Sequence, residues 1–203
     1  RNRLARRLGR ERVRLAIELL REEVEALADR ASGAEDSFHL AEVRAQALDL
    51  LLAEGIVPVA LKGVDVLHRF GYAFDARTLD DIDLLVRPDE RDRALAVLAA
   101  AGWALPPEGE RPRWLRASFE IPVTSPGPVG VSLEVHWSLG QERRYGVDPE
   151  PLIAAAVPLS VAGRPVLGLA PADAVAHLLL HHVQHYFDRR LKWALDLVRL
   201  IAL

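Results

Sequence analysis

The segment Asp80-Asp81-Ile82-Asp83-Leu84-Leu85-Val86 restricts the fold of this chain more than any other. Its apolar tail reads as a buried strand over Ile82 to Val86, and along a strand successive side chains alternate faces. Asp81 and Asp83 therefore point one way while Ile82 and Leu84 enter the core. Two carboxylates so close repel and desolvate each other unless a cation sits between them. The apolar residues behind them fix the pair to a sheet, which makes a rigid oxygen-donor platform suited to Mg²⁺. The same letters also describe an acidic loop ahead of a buried strand. Asp80 faces the other way and reads as a cap or solvent residue.

A third acid follows in Ser132-Leu133-Glu134-Val135-His136-Trp137. Alternation places Glu134 and His136 on one face and Leu133, Val135 and Trp137 on the other. Three carboxylates on adjacent strands hold two metal ions roughly 3.5 to 4 Å apart, which activates an attacking oxygen and stabilises a leaving pyrophosphate. An exposed edge strand would also tolerate Glu134, and His136 reads first as a packing or hydrogen-bonding residue. Upstream, Ala60-Leu61-Lys62-Gly63 puts a lysine and a glycine where a strand turns into a helix. Gly63 lets backbone amides approach a phosphate, and the helix N-terminus behind it favours an anion. Lys62 then serves as a point charge on a triphosphate, and Arg77 as an optional fork onto a phosphate. A purely structural glycine and a solvated arginine are the plainer alternatives.

The rest of the pattern surrounds this centre with helices. Arg1 to Ala31 reads as a charged helix, and Phe38 to Ala53 as a second one stopped by Gly55. Strands are predicted at Val57 to Leu61 and Ile82 to Val86. Helices are predicted from Lys62-Gly63 to about Phe70 and from Pro88 to Ala101. Gly71 to Leu79 and Pro106 to Pro112 read as loops. Trp114 to Val123 and Val129 to Leu139 read as two strands joined through Ser125-Pro126-Gly127-Pro128. Then come a short helix from Pro149 to Ala156, and a hairpin of Val157 to Val161 and Pro165 to Leu169 around Ala162-Gly163. Helices from Pro171 to Tyr186 and Arg190 to Ala202 close the chain. The expected class is α/β (α+β), a small mixed sheet flanked by N-terminal and C-terminal helices. Boundaries are expected at 1–54 for a helical segment, 55–140 for the core and 141–203 for a mainly helical lobe.

Composition excludes several functions. With no cysteine there are no disulfides and no thiolate metal sites, leaving oxygen and imidazole as ligands. No apolar run approaches the roughly 20 residues of a membrane span, and no secretory signal is expected from the arginine-rich first residues, which have no apolar stretch behind them. A cytoplasmic protein is expected. A net charge of −3 gives no global pull toward nucleic acid, although arginines crowd the first fourteen residues. Of 26 basic residues only Lys62 and Lys192 are lysines, which marks both as positions where a compact ammonium is wanted. Methionine is absent even at position 1 and the apolar helical pattern runs to Leu203, so a chain trimmed at both ends is expected.

Leu61-Lys62-Gly63, Tyr72, Arg77, Asp81 through Val86, Glu134 through Trp137 and the segment His181 to Leu197 resemble the uncharacterised nucleotidyltransferase family of the DNA polymerase β superfamily. The resemblance runs from about Val57 to Leu203. It implies Asp81 and Asp83 as paired metal ligands, with Glu134 as the third carboxylate. The superfamily's Gly-Ser turn is replaced here by Lys62-Gly63, so Lys62 takes over the triphosphate contact of the missing serine.

The expected activity is Mg²⁺-dependent transfer of a nucleoside monophosphate from an NTP, with two ions and Mn²⁺ as a substitute. The acceptor is a hydroxyl on a protein or small molecule, with RNA kept open by the arginine-rich start. Lys62, Gly63, Arg77 and Lys192 are the phosphate-binding candidates. His177, His181 and His185 form a helical stripe that reads as a polar face lining the cleft. Its i, i+4 spacing also suits zinc, but the acid of the zinc-peptidase motif is missing. Two other readings stand beside this one: a catalytically silent module with the same fold, and a histidine-based metallohydrolase.

Overall fold

The computed structural model describes residues 34–71, 79, 81–185 and 191–203. The helix predicted for Arg1 to Ala31, most of the loop with Arg77, and Asp80 lie outside these residues. Helix α1 (Ala34–Ala53) leads into strand β1 (Val59–Ala60), helix α2 (Lys62–Arg69), strand β2 (Ile82–Leu85) and helix α3 (Arg91–Ala100). Helix α4 (Arg111–Ala117) precedes the antiparallel strands β3 (Glu120–Thr124) and β4 (Ser132–His136). Short helices α5 (Glu142–Tyr145) and α6 (Pro149–Ala154) lead to the hairpin β5 (Val157–Val161) and β6 (Arg164–Gly168). Helices α7 (Pro171–Gln184) and α8 (Leu191–Ile201) finish the chain.

The strands form one mixed sheet in the order β3-β4-β2-β1-β6-β5. β2 runs parallel to β4 and antiparallel to β1, while β6 runs parallel to β1. All four residues of β2 are buried, as a strand inside a sheet covered on both faces requires. Ile82, Leu84, Leu133 and Val135 belong to one core with Leu48 and Leu51 of α1 and Leu95 and Leu98 of α3. Val59, Leu61 and Leu85 belong to a second core with Val66 of α2, Leu178 of α7 and Leu200 of α8. Each fully buried Leu or Val contributes about 1.5–3 kcal/mol, so both helical layers are held to the sheet by apolar packing. The hairpin closes through Ala162 and Gly163, at φ 50° and 77°, the backbone of a two-residue turn matched to strand twist.

One expectation is corrected. Residues 114–117, read as the start of a strand, end helix α4 instead. Pro112 sits in the first turn of that helix, where its missing N–H costs nothing, and the extended Ser118 stops it. Among the described residues no helix is long and apolar enough to cross a membrane.

Candidate active site

The parallel register of β2 and β4 sets Asp83 directly beside Glu134, and the antiparallel register of β3 and β4 sets Glu120 beside His136. Directly paired residues share a face of the sheet, so four ionisable side chains project from one patch. Such a patch would be costly without compensating charge. Lys62, at the first position of α2, supplies it: its Nζ donates to Asp83 Oδ1 at 2.7 Å and to Glu134 Oε2 at 3.2 Å. The fully buried His136 places Nε2 3.1 Å from Asp83 Oδ1 and 3.5 Å from Glu134 Oε2. Its Nδ1 lies 3.2 Å from Glu120 Oε2, near enough for an ion pair but not aligned as a hydrogen bond.

These contacts fix the charges. Burial pulls His136 toward its neutral form, but Asp83 and Glu134 outweigh that and push its pKa up to about 9. Burial likewise works against the Lys62 charge, and Asp83 followed by Glu134 more than offsets it, holding the ammonium above its ordinary pKa. Glu134 is favoured by burial to protonate, yet His136 and Lys62 hold it below the usual carboxylate range. Burial raises Glu120. An ammonium at Lys62 and an imidazolium at His136 therefore sit among the carboxyl side chains of Asp83, Glu134 and Glu120.

Donor atoms of Asp83, Glu134 and His136 all lie within 4.8 Å of one another. Two hard carboxylates fit Mg²⁺ or Mn²⁺, and the neutral form of His136 offers a nitrogen that Mn²⁺ also accepts. Asp81 stands at the bend leading into β2, partly buried, and does not belong to this group of close donors. Gly63 follows Lys62, buried in α2, and Lys192 is partly buried on α8. The structure thus brings Lys62, Asp83 and Glu134 together, while Arg77 lies outside the described residues.

Glu120 is the residue that sequence reasoning missed. Its signal was the alternation Glu120-Ile121-Pro122-Val123, in which Ile121 and Val123 are buried. A strand begun too early, at Trp114, hid it.

Helix α7 closes the site from the side. His177 lines a narrow recess with Lys62, Asp65, Val66, Leu169 and Leu178. Burial and then the Lys62 charge hold His177 well below its ordinary pKa. His181 is lowered to about 3 by burial and then Lys62, with smaller contributions from His185 and His182. Trp193 of α8 is ringed by His181, His182 and His185, at centroid distances of 4.7, 5.3 and 5.6 Å. Among the described residues these histidines form no further group of three close metal donors.

A mixed sheet that sets Asp83 and Glu134 abreast on neighbouring strands, with Lys62 against both, fits the nucleotidyltransferase class. The chain belongs to the family described as uncharacterised nucleotidyltransferases, whose model matches residues 2–203. That match also covers the N-terminal segment, beyond the resemblance drawn from Val57 onward. No protein of curated function matches the chain in sequence.

Solved structures share the fold. The solution structure of the antibiotic-resistance factor ANT(2'')-Ia matches with a TM-score of 0.59 at 14% identity, covering 81% of this chain and 83% of that one. The lincosamide antibiotic adenylyltransferase LnuA, solved with lincomycin bound, matches with a TM-score of 0.54 at 14% identity, covering 78% and 94%. A nucleotidyltransferase-like antigen from Paracoccidioides brasiliensis matches with a TM-score of 0.54 at 14% identity, covering 80% and 75%.

Proposed function

We propose that this protein transfers a nucleoside monophosphate from an NTP to a hydroxyl group of a small-molecule acceptor. The observation that carries the reading is the lateral pairing of Asp83 and Glu134 on adjacent parallel strands, with donor atoms within 4.8 Å. In the reaction the acceptor oxygen forms a bond to the α-phosphorus, the bond from that phosphorus to pyrophosphate breaks, and the hydroxyl proton is released. Asp83 and Glu134, with Asp81 at the mouth of the strand, would hold divalent cations. When bound, these neutralise charge on the triphosphate and on the attacking and leaving oxygens. Lys62 and the turn at Gly63 hold the phosphates, and Arg77 and Lys192 are further phosphate contacts. In this reading Glu134 completes the site at the attacking oxygen and assists loss of the hydroxyl proton. Most of the rate enhancement then comes from positioning and preorganised charge.

A small-molecule acceptor is favoured over RNA because the fold is shared with a lincosamide adenylyltransferase and with ANT(2'')-Ia, the latter also solved with adenylyl-2''-tobramycin. The deciding experiment incubates the protein with Mg²⁺, each α-labelled NTP in turn, and a panel of polyhydroxylated small molecules including aminoglycosides and lincosamides. Label is expected on an acceptor, and Asp83→Asn or Glu134→Gln should cut transfer at least about 10³-fold, as expected where several kcal/mol of charge stabilisation is removed. Equal transfer by wild type and both variants would remove the site from the reaction.

A further inference from the structure

Lys62 occupies one oxygen on each of the two carboxylates that would hold a divalent cation. Its ammonium contacts Asp83 Oδ1 and Glu134 Oε2 at 2.7 and 3.2 Å, and its side chain is only 14% exposed. Lys62 and His136 already share those two atoms, so a divalent cation placed there would meet both at contact distance in a partly desolvated site. One must move. His136 is fixed, since its ring is fully buried between Asp83 and Glu120. Lys62 carries its charge on a flexible four-carbon stem at the first position of a helix, where a nearby phosphate gives it a new partner.

We propose that Lys62 is an exchangeable counter-ion: it holds Asp83 and Glu134 together until a divalent cation arrives with a nucleotide, then passes to the nucleotide's phosphates. This rests on the nucleotidyltransferase reading of the site. It sets a binding order, because bare metal would strand the ammonium unpaired in a mostly buried position, and a buried unpaired charge is strongly disfavoured. Metal and nucleotide therefore enter as one complex. The lysine is a positioning residue for the metal as well as a phosphate contact.

The test uses the full chain with Mn²⁺ as the probe, free ion being counted by electron paramagnetic resonance. Wild type should bind bare Mn²⁺ weakly, and at least about tenfold more tightly with α,β-methylene-ATP once the Mn²⁺ held by the analogue alone, measured without protein, is subtracted, the scale of effect for one competing charge at contact distance. Lys62→Gln should bind bare Mn²⁺ at least about tenfold more tightly than wild type, while Lys62→Arg, which keeps the charge, should stay with wild type. If Lys62→Gln binds bare Mn²⁺ no better than wild type, and wild type still binds Mn²⁺ with the analogue, the exchange is wrong and the nucleotidyltransferase reading survives. No Mn²⁺ binding by any of the proteins, with or without the analogue, removes both.

A second measurement needs no variant, because the chain has only two lysines, at 62 and 192. Acylation of Lys62 by an amine reagent, followed by peptide mass, should be slow in buffer, faster in saturating Mg²⁺ and slow again once the analogue is added. The same rate under all three conditions would overturn the exchange.

Discussion

Lys62 combines a mostly buried ammonium with a backbone at φ 47°, in the left-handed region that costs a non-glycine residue about 1–2 kcal/mol. Removing the side chain in two ways separates these features. Lys62→Ala and Lys62→Gly both lose the ammonium, but only glycine relaxes the backbone. Lys62→Gly should therefore be the more stable variant by about 1 kcal/mol in urea unfolding, the reverse of the usual order inside a helix. An alanine variant as stable as the glycine one would show that the conformation carries no strain. Asp83 and Glu134 were legible in the sequence as candidates because each is an acid set in an alternating apolar strand. The pairing of Lys62 with them was not, since nothing in local spacing places residue 62 beside residues 83 and 134. Glu120 needed the β3–β4 register, a long-range property.

At the level of elements, α2 must hold Lys62 over the sheet, and a buried ion pair helps to fix it there. Arg69 donates to both oxygens of Asp65 at 3.0 Å and to the carbonyl of Leu169 just beyond β6. Burial nonetheless pushes Asp65 up to about 6 against the influence of Arg69, so the pair fixes position more than it adds stability. Removing one partner is the costly change. Arg69→Ala should lose about 3 kcal/mol, and Asp65→Ala/Arg69→Ala should lose less than Arg69→Ala alone, as denaturant midpoints would reveal. A double variant less stable than Arg69→Ala would mean that the pair is net stabilising. Gly168 belongs to the same joint. A Cβ there would stand 2.8 Å from Asp65 Oδ1 and 2.9 Å from an Arg69 nitrogen, so Gly168→Ala should cost about 1–3 kcal/mol by overpacking. The elements themselves were largely readable from period and punctuation. The exceptions are the four-residue α5, which no periodicity announces, and α4, which mixes Trp114 and Leu115 with three arginines in a pattern without clean alternation, where only Pro112 marked a helix.

For the molecule as a whole, the sheet order could not be read locally, because β6 joins β1 across more than a hundred residues of chain. That crossover brings α7 back beside Lys62, and with it two buried histidines, at 4% and 8% exposure. Lys62 and Glu134 face His181 from the sheet side. His182 and His185 face it from its own helix, and Trp193 from α8. The folded pKa of His181, about 3, lies below its ordinary value of 6.5. Folding therefore favours the neutral ring, so its stabilising contribution is complete above pH 6.5 and is lost as pH falls toward 3. By pH 5 such a group has given up about 2 kcal/mol. His177, shifted in the same direction, adds a loss of its own. Urea unfolding at pH 7.5 and pH 5 should show wild type losing more stability on acidification than His181→Gln, by about 2 kcal/mol. A variant that loses as much as wild type would mean that another group drives the acid response. Because α7 packs against the sheet through Leu178 as well as through two buried histidines, acid should loosen the helical layer beside Lys62 before it disrupts the α1–α3 side. There the core around Leu48, Leu84 and Leu98 adjoins the buried Arg44 and one histidine of lowered pKa, His68, held down to about 4 by burial and then by Arg44. Hydrogen exchange at pH 5 would then show α7 amides losing protection ahead of those in α1.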